Sequence, residues 1–368
     1  MRSILWLSLI LAITYFNFWP TPVDPKRWDS PNNSGYVGAF RQNTLLEELE
    51  FFEIAGTHGP EGLALGDDGM VYASSGEGWI LRHNPSTGIT ERWVNTGGRP
   101  LGIAFDQNSN LLVADAFLGL LSISPTKAVS ILANQINGSP IKYADDVDVG
   151  PDGRIYFSDA STKFGALEFG GTYEASLLDI IEHGGHGRIL VHDPKTKTTS
   201  NLFDDLNFAN GVAVDVEGRF LLVAETGSYR IIKYWLQGDR VGQREILIEN
   251  LPGFPDNIVR GQNGRYWIGL VAPRDFTLDS LSKFPWLREI IQRLPRSIRP
   301  DIQKYSHVFA IDESGNIIAS LQDPSDSYHS ITGALELDDW LYVSSLLESK
   351  LGRLDLSQAG MFSHEEYP

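Results

Sequence analysis

The stretch ADDVDVGPDGRIYFSD (residues 144–159) reads as two short apolar strands around a Pro-Asp-Gly turn, entered through a pair of carboxylates. The same phrase recurs five more times: PEGLALGDDGMVYASS from Pro60, PLGIAFDQNSNLLVAD from Pro100, ANGVAVDVEGRFLLVAE from Ala209, PDNIVRGQNGRYWIGL from Pro255 and ITGALELDDWLYVSS from Ile331. Each copy opens on a small or kinked residue, passes one variable position, and continues as strand, turn and strand. Further strands follow at WILRHNPSTG, LLSISPTK, GRILVHDPKTK, RIIKYWLQG, HVFAIDESGN and KLGRLDLS. About four strands per unit is the blade of a propeller. The pattern predicts an all-β, six-bladed β-propeller with four-stranded blades over residues 44–368. Ring closure needs one blade shared between the chain ends, and LLEELEFFEIAG (residues 45–56) is the natural N-terminal contribution to the last blade. Closure removes sheet edges that otherwise invite aggregation.

Two spacings exceed the usual blade length of about 40–45 residues. Blade three carries an insert near residues 161–186, and blade five one near residues 273–302. The second, LDSLSKFPWLREIIQRL, has apolar residues at helical spacing and predicts a helix that caps the ring, docks a partner or lies on a membrane surface, the favoured reading being a lid packed on its own propeller. His183 and His186 fall in glycine-rich sequence within the first insert and read as loop residues, since no further Cys or carboxylate pattern supports zinc.

The chain has 368 residues, no cysteine and a formal net charge of −17. No disulfide, zinc–thiolate site or thiol nucleophile is possible. The charge argues against a nucleic-acid partner, which would need a basic face, and against attraction to anionic lipid headgroups. At the N-terminus Arg2 precedes an apolar run from Ile4 to Trp19, followed by Pro20, Pro22 and Pro25 rather than a small-residue cleavage site. Residues 1–19 are read as an uncleaved signal-anchor with the propeller outside the cytoplasm, the alternative being a cleaved signal peptide. Residues 20–43 read as a tether.

The chemistry sits at the variable position of the repeat: Glu61, Leu101, Asp145, Asn210, Asp256 and Thr332. In a closed ring these places lie around one axis, at the mouth of the channel lined by the innermost strands. Three carboxylates and an amide oxygen then converge, and hard oxygen ligands of this kind suit Ca²⁺. Taken singly, Asn210-Gly211 is also a turn dipeptide and Asp145-Asp146 a solvated loop; their common register favours ligation. The next position reads Gly62, Gly102, Asp146, Gly211, Asn257 and Gly333, so Asp146 and Asn257 add a second tier of oxygens, while the glycines suggest close backbone packing. Leu101 and Thr332 leave the shell open on one side, where a substrate oxygen can bind. His58 and His329 lie near the same mouth and are candidates to bind a substrate oxygen or shuttle a proton. Tyr143, Phe117, Trp79, Trp267 and Tyr328 are candidates for an apolar pocket or for blade core. There is neither a G-x-S-x-G elbow nor a phosphate-binding P-loop.

With these residues in hand, the chain resembles the six-bladed calcium propellers that include senescence marker protein/gluconolactonase, paraoxonases and strictosidine synthase. The likeness is greatest to the strictosidine synthase-like and adipocyte plasma membrane-associated proteins. It is carried by RPLGIAF (99–105), LLVADAFLGL (111–120), DGRIYFSDASTKF (152–164), GRILVHDPKT (187–196), FANGVAV (208–214), LLVAETGSYRIIKYWLQG (221–238) and NLPGFPDNIVRGQNGRYWIGL (250–270), and it includes the N-terminal anchor and the blade-five insert. The resemblance implies a catalytic calcium held by a Glu, two Asn and an Asp. These fall on Glu61, Asp145 in place of the first Asn, Asn210 and Asp256. The histidine dyad of paraoxonases falls on Leu101 and Ala116, and the glutamate of strictosidine synthase falls in DSYHSIT (326–332), which has none. The resemblance thus implies a calcium-dependent hydrolase of lactones or aryl esters, with Asp256 and Asp145 as catalytic candidates, or a membrane-tethered binding propeller with a structural calcium. A Pictet–Spengler condensation is not implied.

Overall fold

Each of the six repeats becomes the inner pair of strands of a four-stranded antiparallel sheet, and the six sheets form the blades of a propeller. The computed structural model describes residues 6–7, 14–16, 18–299, 302–325 and 327–357. The innermost strands are Leu63–Leu65, Pro100–Phe105, Ala144–Val149, Ala209–Val214, Gly253–Arg260 and Ile331–Leu337. Each packs against the next, and the last packs against the first, which closes the ring. The sixth blade is completed by Glu50–Glu53, which pairs antiparallel with Lys350–Asp355 as its outermost strand. The chain ends are therefore held by main-chain hydrogen bonds in one sheet, as the sequence between residues 45 and 56 predicts.

The core is a set of apolar layers between neighbouring blades. Phe220, Leu222, Ile231, Ile258, Ile268 and Phe309, for example, fill the space between blades four and five. Trp267 and Tyr328 are fully buried in the layer between blades five and six, Trp79 packs between blades one and six, and Phe117 packs on the layer beneath the blade-three insert. These four aromatics are core residues rather than pocket lining; burial of a large ring between sheets is the stronger demand.

Strand direction fixes which connections face the hub. The innermost strands begin at the hub mouth, so loops joining second to third strands return to that mouth, while the tight turns between first and second strands lie on the opposite face. Both inserts join a second strand to a third: Asp159 to Gly187 in blade three, and Pro273 to Ser306 in blade five. Both therefore stand over the hub. The blade-five insert is helical as predicted, but Pro285 divides it, ending one short helix (Phe276–Ser280) and opening another (Pro285–Arg293). The blade-three insert is not a glycine-rich loop. It holds a helix, Thr172–Glu182, bracketed by glycine pairs and closed by His183 in the left-handed region (φ 55°), whose N–H donates to Asp179 O. Ala175, Leu178 and Ile181 turn its apolar face inward.

Residues 20–43 are laid across these inserts as a strap. Lys26 N–H donates to Glu182 O at 2.7 Å, Trp28 N–H to Ser282 O at 3.2 Å, and Asn250 Nδ2 to Asn32 O at 2.9 Å. The buried guanidinium of Arg288 donates to Ile181 O and to Lys26 O, joining both inserts to the strap. The segment expected to be a signal-anchor lies largely outside the described residues. Among the described residues no helix is long and apolar enough to cross a membrane.

Candidate metal centre and substrate cavity

At the start of the innermost strand the ladder slips by one residue in five blades. The slips fall between Pro100 and Ile103, Ala144 and Val147, Ala209 and Val212, Pro255 and Ile258, and Ile331 and Ala334. The variable position and its successor occupy this bulge every time. A bulge sets two residues against one on the partner strand and re-aims a side chain that strict alternation would send elsewhere. In blade one the strand begins just after the pair, at Leu63. The backbones crowd together there: a Cβ on Gly62 would stand 2.3 Å from Leu101 O, and one on Gly211 2.4 Å from Asp256 O. Glycine at these places is a condition of the ring's closing so tightly.

The result is a knot of acids. Carboxylate oxygens of Glu61, Asp145 and Asp256 lie within 4.8 Å of one another, and all three residues are buried. Asn210 donates its amide to Asp256. Glu61 Oε2, Asn210 Oδ1 and Asp256 Oδ1 are buried without a hydrogen-bond partner in the structure. Buried polar atoms are almost always satisfied, and buried acids are costly unless paired. Burial, then the neighbouring Asp256, pushes Glu61 up to about 8; burial likewise pushes Asp256 up to about 8. Asp145 is raised well above the carboxylate range by burial, then by Glu61 and Asp256. Arg99 opposes this, lowering both Glu61 and Asp145. Converging, orphaned oxygens of this chemistry fit a hard divalent cation.

The second tier divides. Asp146 accepts the N–H of Val147 and of Val212, each at 2.8 Å, and thereby clasps blade three to blade four. Its oxygens are occupied by backbone. Asn257 donates to Glu61 O at 3.2 Å and leaves its own Oδ1 unpartnered on the channel side. Thr332 is fully buried and donates to Glu61 O at 2.8 Å; it positions the Glu61 backbone and does not border the cavity.

Above the acids lies a cavity of about 1090 Å³. Glu61, Asp145, Asn210 and Asp256 form its floor; Leu101, Tyr143, Phe208, Phe254 and His329 line its lower wall; and helices of both inserts roof it with Leu177, Leu178, Leu281 and Ile291. Tyr143 packs edge-on against Phe208 and donates its hydroxyl to Thr172 O at 2.9 Å, tying wall to roof. His329 is held by Ser330 Oγ at 3.0 Å and Glu348 Oε1 at 3.3 Å. His58 is not part of this lining: it is exposed, with Nδ1 2.5 Å from Glu77 Oε1. His183 stacks on Trp28 of the strap and His186 pairs with Glu182, so neither reaches the floor.

Three features escape the sequence reading: Arg99, the blade-three helix, and Phe208 and Phe254 in the wall. The signal for the wall was present. Tyr143, Phe208 and Phe254 each stand two residues before the variable position, as does Arg99.

A model of the strictosidine synthase family matches residues 145–239, and one of the strictosidine synthase-like N-terminal region matches residues 38–83. Strictosidine synthase-like protein 6 of Arabidopsis thaliana is 37% identical over 320 residues, 85% of this chain and 83% of that one. Adipocyte plasma membrane-associated protein of Homo sapiens is 32% identical over 360 residues, 91% of this chain and 84% of that one. Among solved structures, a gluconolactonase from Xanthomonas campestris superposes with a TM-score of 0.61 at 15% identity, covering 91% of this chain and 98% of that chain. A calcium-binding regucalcin from Agrobacterium tumefaciens gives 0.56 at 15% identity, covering 83% and 95%. The structural matches establish the shared propeller.

Proposed function

The chain belongs to the strictosidine synthase-like family, and on that premise we propose that it is a calcium-dependent hydrolase of lactones or aryl esters, tethered to a membrane by its N-terminal segment with the propeller outside the cytoplasm. Glu61, Asp145, Asn210 and Asp256 would hold the ion. When bound, Ca²⁺ supplies a Lewis acid that polarises a carbonyl and stabilises the oxyanion. The chain does the rest. Leu101, Tyr143, Phe208 and Phe254 orient the apolar part of the substrate over the floor. The insert helices above them exclude bulk water. Asp256 or Asp145, both on the cavity floor, takes a proton from the attacking water. The acyl C–O bond breaks and the proton passes to the leaving oxygen, with His329 in the wall as a second proton carrier. A ligated carboxylate is a weak base, so turnover is modest.

The observation that carries this reading is the set of orphaned oxygens on Glu61, Asn210 and Asp256 at the floor of an apolar cavity. Its test is Asp256→Ala assayed on phenyl acetate and a lactone panel with calcium present. The expected loss is on the order of 100-fold or more, the usual scale for removing one electrostatic catalytic group. Unchanged turnover removes the proposal.

A second reading, a binding propeller whose calcium only holds the ring together, is favoured by one observation. Leu101 and Ala116 are both buried and apolar, so no histidine pair stands on that side of the floor. Chelation separates the two: removing a structural ion lowers the melting temperature with no turnover to lose, whereas removing a catalytic ion abolishes turnover while the ring stays folded.

A further inference from the structure

The face that bears the cavity mouth differs from its opposite in what it exposes. On the far face the exposed large apolar residues are aliphatic, among them Ile89, Val216 and Val241 in tight turns. On the mouth face aromatics join the aliphatic Ile298, Leu167 and Leu347: Phe276 is 84% exposed, Trp286 60% and Phe284 48%. Ordinary soluble surfaces do not cluster large aromatics around a cavity, and such patches mark an interaction surface.

Two further observations say what covers it. The first is charge. Of the seven Lys and Arg in residues 273–304, Arg274 and Arg288 are buried and Arg293 is paired with Glu289, while Lys283, Arg296 and Lys304 stay exposed beside the aromatics, the first two sharing their charge with Asp29 and Glu174, in a chain of net charge −17. Aromatic side chains mixed with Arg and Lys suit the headgroup layer of an anionic bilayer. The second is continuity. Arg293 at the end of the Pro285–Arg293 helix donates to Trp19 O at 2.7 Å and to Phe16 O at 3.1 Å, and Tyr15 donates to Arg293 O at 2.8 Å. The helix that exposes Trp286 is thus bonded to the last turn of the apolar N-terminal run, where Phe18 and Trp19 are themselves exposed.

We infer that the mouth face lies on an anionic lipid bilayer, with Phe276, Phe284, Trp286 and Ile298 seated in the headgroup layer. Phe276 borders the cavity as well as the outer surface, as do Arg296 and Arg299. The cavity therefore opens at the lipid surface, and its ligands enter from the bilayer as lipophilic molecules. The inference does not depend on hydrolysis or on calcium.

The chain has no cysteine, so a single introduced one is a unique label site. The full chain is reconstituted with vesicles of phosphatidylcholine and phosphatidylserine carrying a nitroxide on the lipid. A bimane is attached at Phe276→Cys, Trp286→Cys or Ile298→Cys, and at Ile89→Cys and Val216→Cys on the far face. Quenching of about twofold or more is expected at the three rim positions and little at the two far ones, as for side chains that reach the acyl boundary. Equal, weak quenching at all five overturns the inference even if the chain floats with the vesicles, since the N-terminal segment alone then makes the contact. A chain that does not float overturns it too. Rim labels shielded from iodide without lipid present assign the face to a second copy of the chain, and that also overturns it.

Discussion

Asp145 and Asp159 sit on adjacent strands of one blade, both buried, with opposite surroundings. Asp159 accepts the N–H of Tyr143 at 3.0 Å and of Lys142 at 3.3 Å, and takes Arg188 Nε at 2.9 Å. Glu225 and Asp115 stand at the same place in blades four and two. Glu225 accepts Asn207 N–H and pairs with Arg230, and Asp115 accepts the N–H of Arg99, Phe117 and Leu118. These acids staple one blade's return strand to the loop that enters its inner strand. The hub acids, one strand further in, are only half served: Asp256 accepts from Asn210 and from the Asn257 N–H, and Glu61 Oε1 from Asn257, yet Glu61 Oε2 and Asp256 Oδ1 are left bare. Residue type and burial are the same in both sets. What separates the two sets is whether donors have already used both oxygens of the acid.

The sharpest way to break this comparison is to make one chemical change at both places. Asp256→Asn is expected to cost on the order of 100-fold in phenyl acetate turnover, with a thermal midpoint in chelator that is unchanged or higher, because it removes a buried acid with one oxygen left bare. Asp159→Asn is expected to do the reverse. It breaks a buried pair and costs about 3–5 kcal/mol of stability, read by denaturant titration, while the folded fraction keeps its turnover. If both variants lose stability and keep turnover, the hub is structural and the distinction fails.

The fold and the place of the site were legible in the sequence because a ring of repeats forces equivalence. Once six copies were aligned, Glu61, Asp145, Asn210 and Asp256 had to meet, and the closing strand had to come from residues near Leu49. What the repeat does not encode is what each oxygen does. Asp146 and Asn257 occupy one register, yet Asp146 spends both oxygens on backbone N–H groups and Asn257 leaves Oδ1 bare. Thr332, read as an opening in the shell, turns instead to Glu61 O. His58 and His329 both stand just before a repeat, but only His329 reaches the cavity. The inserts lie outside the repeat altogether, so the blade-three helix had no register to reveal it, and its flanking glycines disguised it as loop.

Calcium itself sharpens the comparison at a smaller scale. An ion that binds only the folded ring stabilises it by about 2.7 kcal/mol at a hundred times its dissociation constant. Titrating Ca²⁺ against the thermal midpoint should raise it for the parent chain and for Glu225→Gln, but not for Glu61→Gln. A rise of equal size in all three would place the binding outside the hub.

The smallest expected effect concerns an acid that belongs to neither set. Asp179, in the Thr172–Glu182 helix, is fully buried, and burial pushes its carboxyl up to about 7. Ser161, His186 and Lys163 favour its ionised form, and Glu182 opposes it. Its folded pKa is raised, so its contribution to stability is full below the unfolded value near 4 and is lost as pH rises through about 7. Asp179→Asn has no proton to lose. Relative to the parent, the variant should gain stability between pH 4 and about 7 and hold that gain above it, by at least about 1 kcal/mol, the equivalent of one pKa unit. Parallel stability–pH curves would mean that the insert relaxes around the ionised acid. The blade-three roof would then yield to charge in a way the clasps at Asp115, Asp159 and Glu225, with their oxygens already bonded, have no need to do.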